Sequence, residues 1–497
     1  MGVILLAVVF VLLTVFYNCY WKRRHLPPGP MPLPLIGNAH LVSEKQFLAW
    51  TKQYGPVYTY WVSEMPVVAV NDVDVIIDTF VKDGDKYVGR PQFEEAMELF
   101  KNGSDGIIFN ECEVWRDQRR FALQVLREFG LGKNQMQEQI LDEFGNLMTD
   151  ILEMHENGGS VDIKKSIDVC VGNMINNILF GFHFEKDKQA KFYHIKSLML
   201  EANKPFGSFP GLLFFHRAHC YKNVPYMSKI YKTVAESRDA ITEFITESIA
   251  ARKANIDFEI DSKPLDFTEA FLRAQYKCEK EGVPHFFTDK QMNAVLFDLW
   301  FAGQETTSTT LGWAFCYLIK FPHVQKRLQA EIDEVVGSDR LITCDDKTKL
   351  HYANAVVAEV QRFASILPQN LLHRTVADVI IAGHKIPKHT VITHQISSVM
   401  RDERYFPEPE KFKPERFLKE DGTFFNHPGL MPFGVGKRAC LGESMAKMEL
   451  FLFIVNTVNQ FTLFNDPKYP AKLERLPSGT IAPSHYKCLI EHRFKQN

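Results

Sequence analysis

The sequence predicts a mainly α protein with a small β-sheet region, preceded by an N-terminal transmembrane helix. Three observations lead there. The run Val3–Trp21 carries no charge, β-rich runs are clearest in the N-terminal quarter, and helical periodicity covers much of the rest. With 497 residues, 45% hydrophobic content and a formal net charge of -2, the chain can bury a large core. It shows no global pull toward nucleic acid.

Val3–Trp21, at about 1.5 Å rise per residue, covers a bilayer's hydrocarbon as a helix. Tyr17, Tyr20 and Trp21 suit the interface, and Lys22-Arg23-Arg24 follows at once. The positive-inside rule then keeps the body cytosolic. A cleaved signal peptide is the rival, but no basic start and no small-residue end mark one. Residues 1–21 are thus the anchor and 22–35 a basic, Pro-rich linker, read as a stiff spacer. Residues 36–497 form one large domain without repeats. Its nine cysteines, at 19, 112, 170, 220, 278, 316, 344, 440 and 488, lack paired spacing and fit a reducing compartment.

Within the body, Pro56–Val62 and Val67–Val70 read as strands around a turn at Ser63-Glu64-Met65-Pro66. Helices follow over roughly 110–250, 288–320, 322–336 and 348–366, with Pro322 and Pro368 as stops. Phe206, Phe209, Leu212, Leu213, Phe214 and Phe215 make the 204–220 connection unusually apolar. It reads either as core or as a loop dipping into the membrane. His216 and His219-Cys220 resemble half a zinc site, but no second ligand pair appears, so a surface loop is preferred.

Two segments carry chemistry. Cys440 stands among Gly434, Gly436 and Gly442, directly after Lys437 and Arg438, and before an apolar helix over Leu441–Phe461. A helix start and neighbouring cations favour a thiolate. The bland reading is a small buried hydrophobe. A dinucleotide loop is discarded because Pro428 and Pro432 argue against the strand it needs, and a cysteine protease lacks a visible partner histidine. The second segment lies inside the 288–320 helix, where Thr288 and Gln291 form a capping box. Gly303 and the hydroxyls of Phe301-Ala302-Gly303-Gln304-Glu305-Thr306-Thr307-Ser308-Thr309-Thr310 predict a bend holding an acid and an alcohol, Glu305 and Thr306. The alternative there is a capping or packing cluster. Glu359 and Arg362, spaced i, i+3, form a weak pairing signal.

Phe433-x-x-Gly436-x-Arg438-x-Cys440-x-Gly442, Ala302-Gly-Gln-Glu-Thr-Thr307, Glu359-x-x-Arg362, Pro414-Glu-Arg-Phe417 and the Pro-rich hinge, in this order from anchor to end, together resemble a microsomal cytochrome P-450. Gly106-Ile-Ile-Phe109, Trp115, Arg119-Arg120 and Gly436-Lys-Arg make it similar to the animal drug- and fatty-acid-metabolising microsomal group.

The resemblance implies a haem-thiolate monooxygenase of the endoplasmic reticulum membrane, with haem b as cofactor and Cys440 as the axial thiolate of its iron. Phe433 would pack beside the sulfur, and Gly436 belongs to the same loop. Trp115, Arg119, His373 and Arg438 would meet the haem propionates. The basic residue many relatives carry before the Gly-Ile-Ile segment is replaced by Gly103-Ser-Asp105, which leaves Lys101 as candidate substitute. Ala302 and Gly303 would line the oxygen side, Gly303 opening room there, while Glu305 and Thr306 relay protons toward dioxygen. Glu359, Arg362 and Arg416 would form a structural network. Walls from 93–109, 293–306, 365–372 and 477–483 imply a lipophilic substrate, fatty acid and neutral xenobiotic being equally live. Electrons would come from NADPH through a flavoprotein reductase docking on Arg116, Arg120, Arg127, Lys133 and Lys437, with cytochrome b5 as an additional partner. Two other readings stay open: a haem-thiolate peroxide isomerase, which needs no proton relay, and a haem sensor or carrier without turnover.

Overall fold

The computed structural model describes residues 2–129, 134–260 and 262–494. The uncharged run folds as the helix Gly2–Cys19, exposed along almost its whole length. With the turn after it, this is the one helix among the described residues long and apolar enough to cross a membrane.

The Pro-rich stretch differs from the free spacer expected for 22–35. Thr59 donates its N–H to the Pro28 carbonyl at 2.9 Å, and Gly37 bridges Val62. A Cβ on Gly29 would lie 1.8 Å from the Thr59 oxygen, so only glycine permits this approach. Lys22 is held as well, 2.8 Å from Glu64 and above the Trp61 ring. Prolines cannot donate, but their carbonyls satisfy the N–H groups of a sheet edge. The segment is therefore a strap laid on the sheet, and the body starts before Ile36.

Val57–Val62 pairs antiparallel with Met65–Val70, as the two strands expected around a turn predict. The expected four-residue turn shrinks to Ser63-Glu64, with φ 53° at Ser63, because Met65 and Pro66 already stand opposite Val62 and Trp61. Val391–His394 joins parallel to the second strand, and His373–Arg374 completes the sheet. A hairpin of Phe461–Asn465 and Cys488–His492 closes the C-terminal end.

Residues 110–250 separate into the helices Cys112–Glu128, Asn134–Gly158, Ile163–Phe180, Gln189–Asn203, Phe209–Arg217 and Met227–Lys253. The later expectations map onto Asp289–Lys320, Pro322–Val335 and His351–Ala364. The apolar 204–220 connection holds the short helix Phe209–Arg217, whose Phe214 packs with Leu99, Ala202 and Val234. Phe214 thus supports the core reading. Among the described residues no cluster of metal-ligating side chains forms, at His219-Cys220 or elsewhere, while the side chain of His216 lies outside the described set.

The Asp289–Lys320 helix is the axis of the fold. It is buried continuously from Thr307 to Ile319 and packs against Ile163–Phe180 and Glu443–Gln460. Thr288 caps it through the Gln291 N–H at 3.2 Å. The Gln291 side chain does not return to the cap; it exchanges two hydrogen bonds with the Gly106 backbone. Glu359 accepts from Arg362 at 2.7 and 2.8 Å and from Arg416 at 3.3 Å, and Glu359 and Arg362 are fully buried. This network fastens the Pro414–Phe417 turn to the His351–Ala364 helix.

Candidate active site

The cysteine loop is shaped by its glycines. Gly434 and Gly436 adopt φ 68° and 79°, in the left-handed region, and a Cβ on Gly436 would lie 1.9 Å from the Phe80 oxygen. The loop closes when Cys440 donates its N–H to the Phe433 carbonyl at 3.0 Å. The following helix begins at Glu443, with Gly442 as its cap, two residues later than the apolar run suggests. The Cys440 sulfur remains accessible although the surrounding chain encloses it.

Its electrostatics differ from the sequence expectation. Lys437 turns away to pair with Asp85, and Arg438 lies flat over the Trp115 ring, 3.7 Å from its centroid. Burial pushes the Cys440 thiol up, with the Gly442 N–H and the Arg119 guanidinium pulling the other way. The two cations that precede the thiol are thus engaged elsewhere, Lys437 with Asp85 and Arg438 with the Trp115 ring.

Those cations gather elsewhere. Arg119 donates to the Ala439 carbonyl at 2.6 Å, and Arg438 donates to the carbonyls of Val88, Ile107 and Asn110. Arg90, which the sequence reading missed, reaches the same place by donating to Ile108, Leu371 and Leu372 carbonyls. Burial, then Arg90 and Arg119, push the Arg438 guanidinium down to about 8. His373 donates from Nδ1 to the Tyr87 carbonyl at 2.6 Å, and burial together with Arg90 holds its pKa far below the usual imidazole range. It is a neutral donor. Trp115 presents a buried indole N–H with no partner.

Lys101 does not join them. Its ammonium is buried against Asp298 and donates to the Asp105 carbonyl at 2.8 Å. Lys101, expected as the substitute cation, instead locks the loop to the long helix, and it is Arg90 that stands close to Arg438. Asp298 also accepts from the N–H groups of Ile107 and Ile108 at 2.8 and 2.9 Å.

Three guanidiniums, none ion-paired with a carboxylate among the described residues, an unpartnered indole N–H and an accessible thiol make a specific donor set. It fits a flat group bearing two carboxylates and a thiolate-seeking metal. Haem b has that chemistry.

Above it, the Asp289–Lys320 helix is continuous through the segment expected to bend. Ala302 is exposed and Thr306 half-buried in an otherwise enclosed helix, and Thr306 donates its hydroxyl to the Ala302 carbonyl at 2.9 Å. Gly303 points elsewhere: a Cβ there would lie 2.9 Å from Ile175 Cδ1. Its missing side chain serves the close approach of two helices, which corrects the expectation that it opens room for oxygen. Glu305 is also buried, accepting from Thr309 at 2.8 Å. Phe100 meets Phe301 and Phe297 edge-on at 5.1 and 5.9 Å, and the Ile481 N–H donates to Ile366 at 2.8 Å. The predicted wall segments do converge. On the outer face, Arg116, Arg120 and Arg127 are exposed along Cys112–Glu128, while Lys133 lies outside the described residues.

This donor set and this helical scaffold define a haem-thiolate enzyme. The family model described as Cytochrome P450 matches residues 27–489, and the chain belongs to that family of monooxygenases, oxidoreductases that use haem b. Among its relatives are "Cytochrome P450 2B19" of Mus musculus, 34% identical over 473 residues and 93% of each chain. "Cytochrome P450 2H1" of Gallus gallus is 34% identical over 465 residues, covering 93% of this chain and 92% of the relative. "Cytochrome P450 2M1" of Oncorhynchus mykiss is 33% identical over 489 residues, 96% and 94% of the two chains.

Proposed function

We propose that Cys440, as a thiolate, would hold the iron of haem b. The chain then inserts one oxygen atom from O2 into a lipophilic substrate, by hydroxylation or epoxidation, at the cytosolic face of the endoplasmic reticulum membrane. The cluster of Arg90, Arg119 and Arg438, none of whose guanidiniums is ion-paired with a carboxylate among the described residues, beside the exposed Cys440 supports this reading best. When bound, haem b supplies the redox-active iron that cleaves dioxygen.

The chain's residues do the rest. Arg90, Arg119, Arg438 and Trp115 would hold the two propionates, which replace the missing counter-charges, while neutral His373, its single N–H given to the Tyr87 carbonyl, has no proton to donate to a carboxylate. Gly434 and Gly436 bend the loop that presents Sγ, and the Phe433 carbonyl fixes the Cys440 backbone. Thr306 Oγ holds a proton on the accessible side of its helix, next to Ala302, and Glu305 resupplies it as the acid of the pair. The Phe100, Phe297 and Phe301 rings exclude water and favour an apolar substrate. Electrons come from NADPH through a flavoprotein reductase, with cytochrome b5 as a further donor, and the exposed arginines of Cys112–Glu128 dock its acidic face.

Reconstitution with the reductase, NADPH and isotopically labelled dioxygen tests this. One labelled oxygen atom per product, with NADPH consumed, is the result expected from a screen of lipophilic compounds chosen by their Soret shift. Rearrangement of added peroxides without NADPH, and no label incorporation, would establish the isomerase instead.

A further inference from the structure

The helix Gln189–Asn203 turns a stripe inward, Phe192, Lys196, Met199 and Asn203, at the three- and four-residue spacing of a buried face. Phe192 and Met199 join the apolar core, and Lys196 is paired with Asp168 and Glu305. Asn203 is only 6% exposed, yet its carboxamide makes no hydrogen bond among the described residues. Both Oδ1 and Nδ2 keep contact with open space. The side chain caps nothing either: the Lys204–Gly207 turn takes no bond from it, and a φ of -82° is ordinary helical backbone. The Asn203 main chain, by contrast, is fixed, its carbonyl accepting the Gly479 N–H at 3.1 Å. A Cβ on Gly479 would lie 3.2 Å from Asn203 Oδ1, so glycine there leaves the amide uncovered. Next to Gly479, Thr480 reaches Glu305 of the long helix at 3.5 Å. Phe206 meets Phe100 edge-on at 5.9 Å, and Phe100 meets Phe301. Asn203 therefore stands in a roof made by the end of its helix and the 477–480 turn, above the side of Asp289–Lys320 where Ala302 and Thr306 are accessible.

We infer that Asn203 determines substrate specificity: its carboxamide binds a neutral hydroxyl or carbonyl at the end of the substrate remote from the atom that is oxidised. This deepens the monooxygenase reading above and rests on it. A carboxamide offers two N–H donors and an acceptor oxygen. A hydroxyl uses one of each, and a carbonyl uses the donors. A carboxylate is not matched. Lys196, on the same stripe, is engaged with Asp168 and Glu305, and Lys204, the next residue, pairs with Glu201, so an anion in the roof would be buried without a counter-charge. An enclosed polar group without partners is destabilising, and a ligand that supplies them removes the penalty. Near the rings of Phe100, Phe297 and Phe301, one polar fixture orients a lipophilic molecule as well as holding it. Such a fixture also rejects analogues that lack the matching group more sharply than an apolar wall rejects a missing methylene. Of the two substrate classes that the sequence leaves equal, the neutral lipophile with one polar end fits and the fatty-acid carboxylate does not.

Probes of one chain length test this on the full-length, haem-loaded enzyme: dodecyl alcohol, methyl decyl ketone, dodecanoate and dodecane. Affinity is read from the Soret shift, and the position of oxidation from mass spectrometry of the products. The natural enzyme should bind the alcohol and the ketone more tightly than dodecanoate, with a shift to shorter wavelength, and oxidise them toward the far end of the chain. Asn203→Leu, similar in size and apolar, should weaken the alcohol and the ketone by about 3–30-fold, the worth of one or two hydrogen bonds. Dodecane should bind this variant at least as tightly as before, and oxidation of the alcohol should spread along the chain. If Asn203→Leu fails to load haem, Asn203→Ala, which removes the amide without adding bulk, is read the same way. Equal losses for dodecane and the alcohol would make Asn203 a packing residue and overturn the inference. So would dodecanoate as the tightest probe, no shift with either neutral polar probe, or an alcohol shift to longer wavelength, the sign of its oxygen at the iron. Each of these leaves the monooxygenase standing as long as labelled dioxygen enters products in the wider screen. No label in any product overturns that reading, and this inference with it.

Discussion

Thr306 and Glu305 are neighbours in the chain that diverge in space, one hydroxyl bonded to Ala302 beneath the accessible side of the helix, the other carboxylate buried among Lys196, Thr309 and Thr480. At the residue scale this separates two roles. Thr306→Ala keeps the helix and removes the final proton holder. Dioxygen use and NADPH oxidation should continue, while product per NADPH falls ~10-fold or more and peroxide rises correspondingly. Unchanged coupling with several substrates would make Thr306 a packing residue. Residue types and spacing singled out Cys440 and the Glu305-Thr306 pair, which are chemically unusual, whereas Arg438, Trp115, Arg119 and His373 came as propionate partners only through the family resemblance. Arg90 was missed and Lys101 misplaced. A lone arginine after Gly89 has no periodicity to mark it; three carbonyls from 108, 371 and 372 fix its position. Asn203 was equally invisible, since the 477–480 turn that it meets lies far off in the chain.

At the scale of elements, one carboxylate holds the long helix to the loop that carries the cradle. Asp298 is buried, pairs with buried Lys101 and accepts two backbone N–H groups at 107 and 108. Asp298→Ala leaves an ammonium and two N–H groups buried without partners, so unfolding of the haem-loaded protein in denaturant should show a loss of about 3–5 kcal/mol. A loss below about 1 kcal/mol, the size seen for an exposed pair, would contradict the placement of this lock. Long elements were legible for physical reasons. Thr288 caps the central helix and Pro322 begins the next, and each is a local signal. The two-residue strand His373–Arg374 and the four-residue strand Val391–His394 carry no local period. Val391–His394 is a strand because it pairs across some 300 residues of chain with Val67–Val70, and His373–Arg374 because it pairs in turn with Val391–Ile392.

For the whole molecule, the proposed cytosolic orientation rests on the helix Gly2–Cys19 and the basic turn after it, and the strap that follows lies against the sheet. Asn102-Gly-Ser104 is the chain's single glycosylation acceptor, and Asn102 is exposed just after the helix Glu94–Lys101. A cytosolic body predicts that Asn102 stays unmodified in cells, checked by a glycosidase-induced mobility shift. Glycan on Asn102 would place the body in the lumen and remove its access to a cytosolic reductase.

The central claim is that Cys440 binds haem iron as a thiolate although burial pushes its thiol up. The reduced, haem-loaded protein under carbon monoxide tests this most directly. The account predicts the long-wavelength band that marks thiolate ligation, and its loss in Cys440→Ala with the fold retained by far-ultraviolet dichroism. The same band persisting in Cys440→Ala would contradict it.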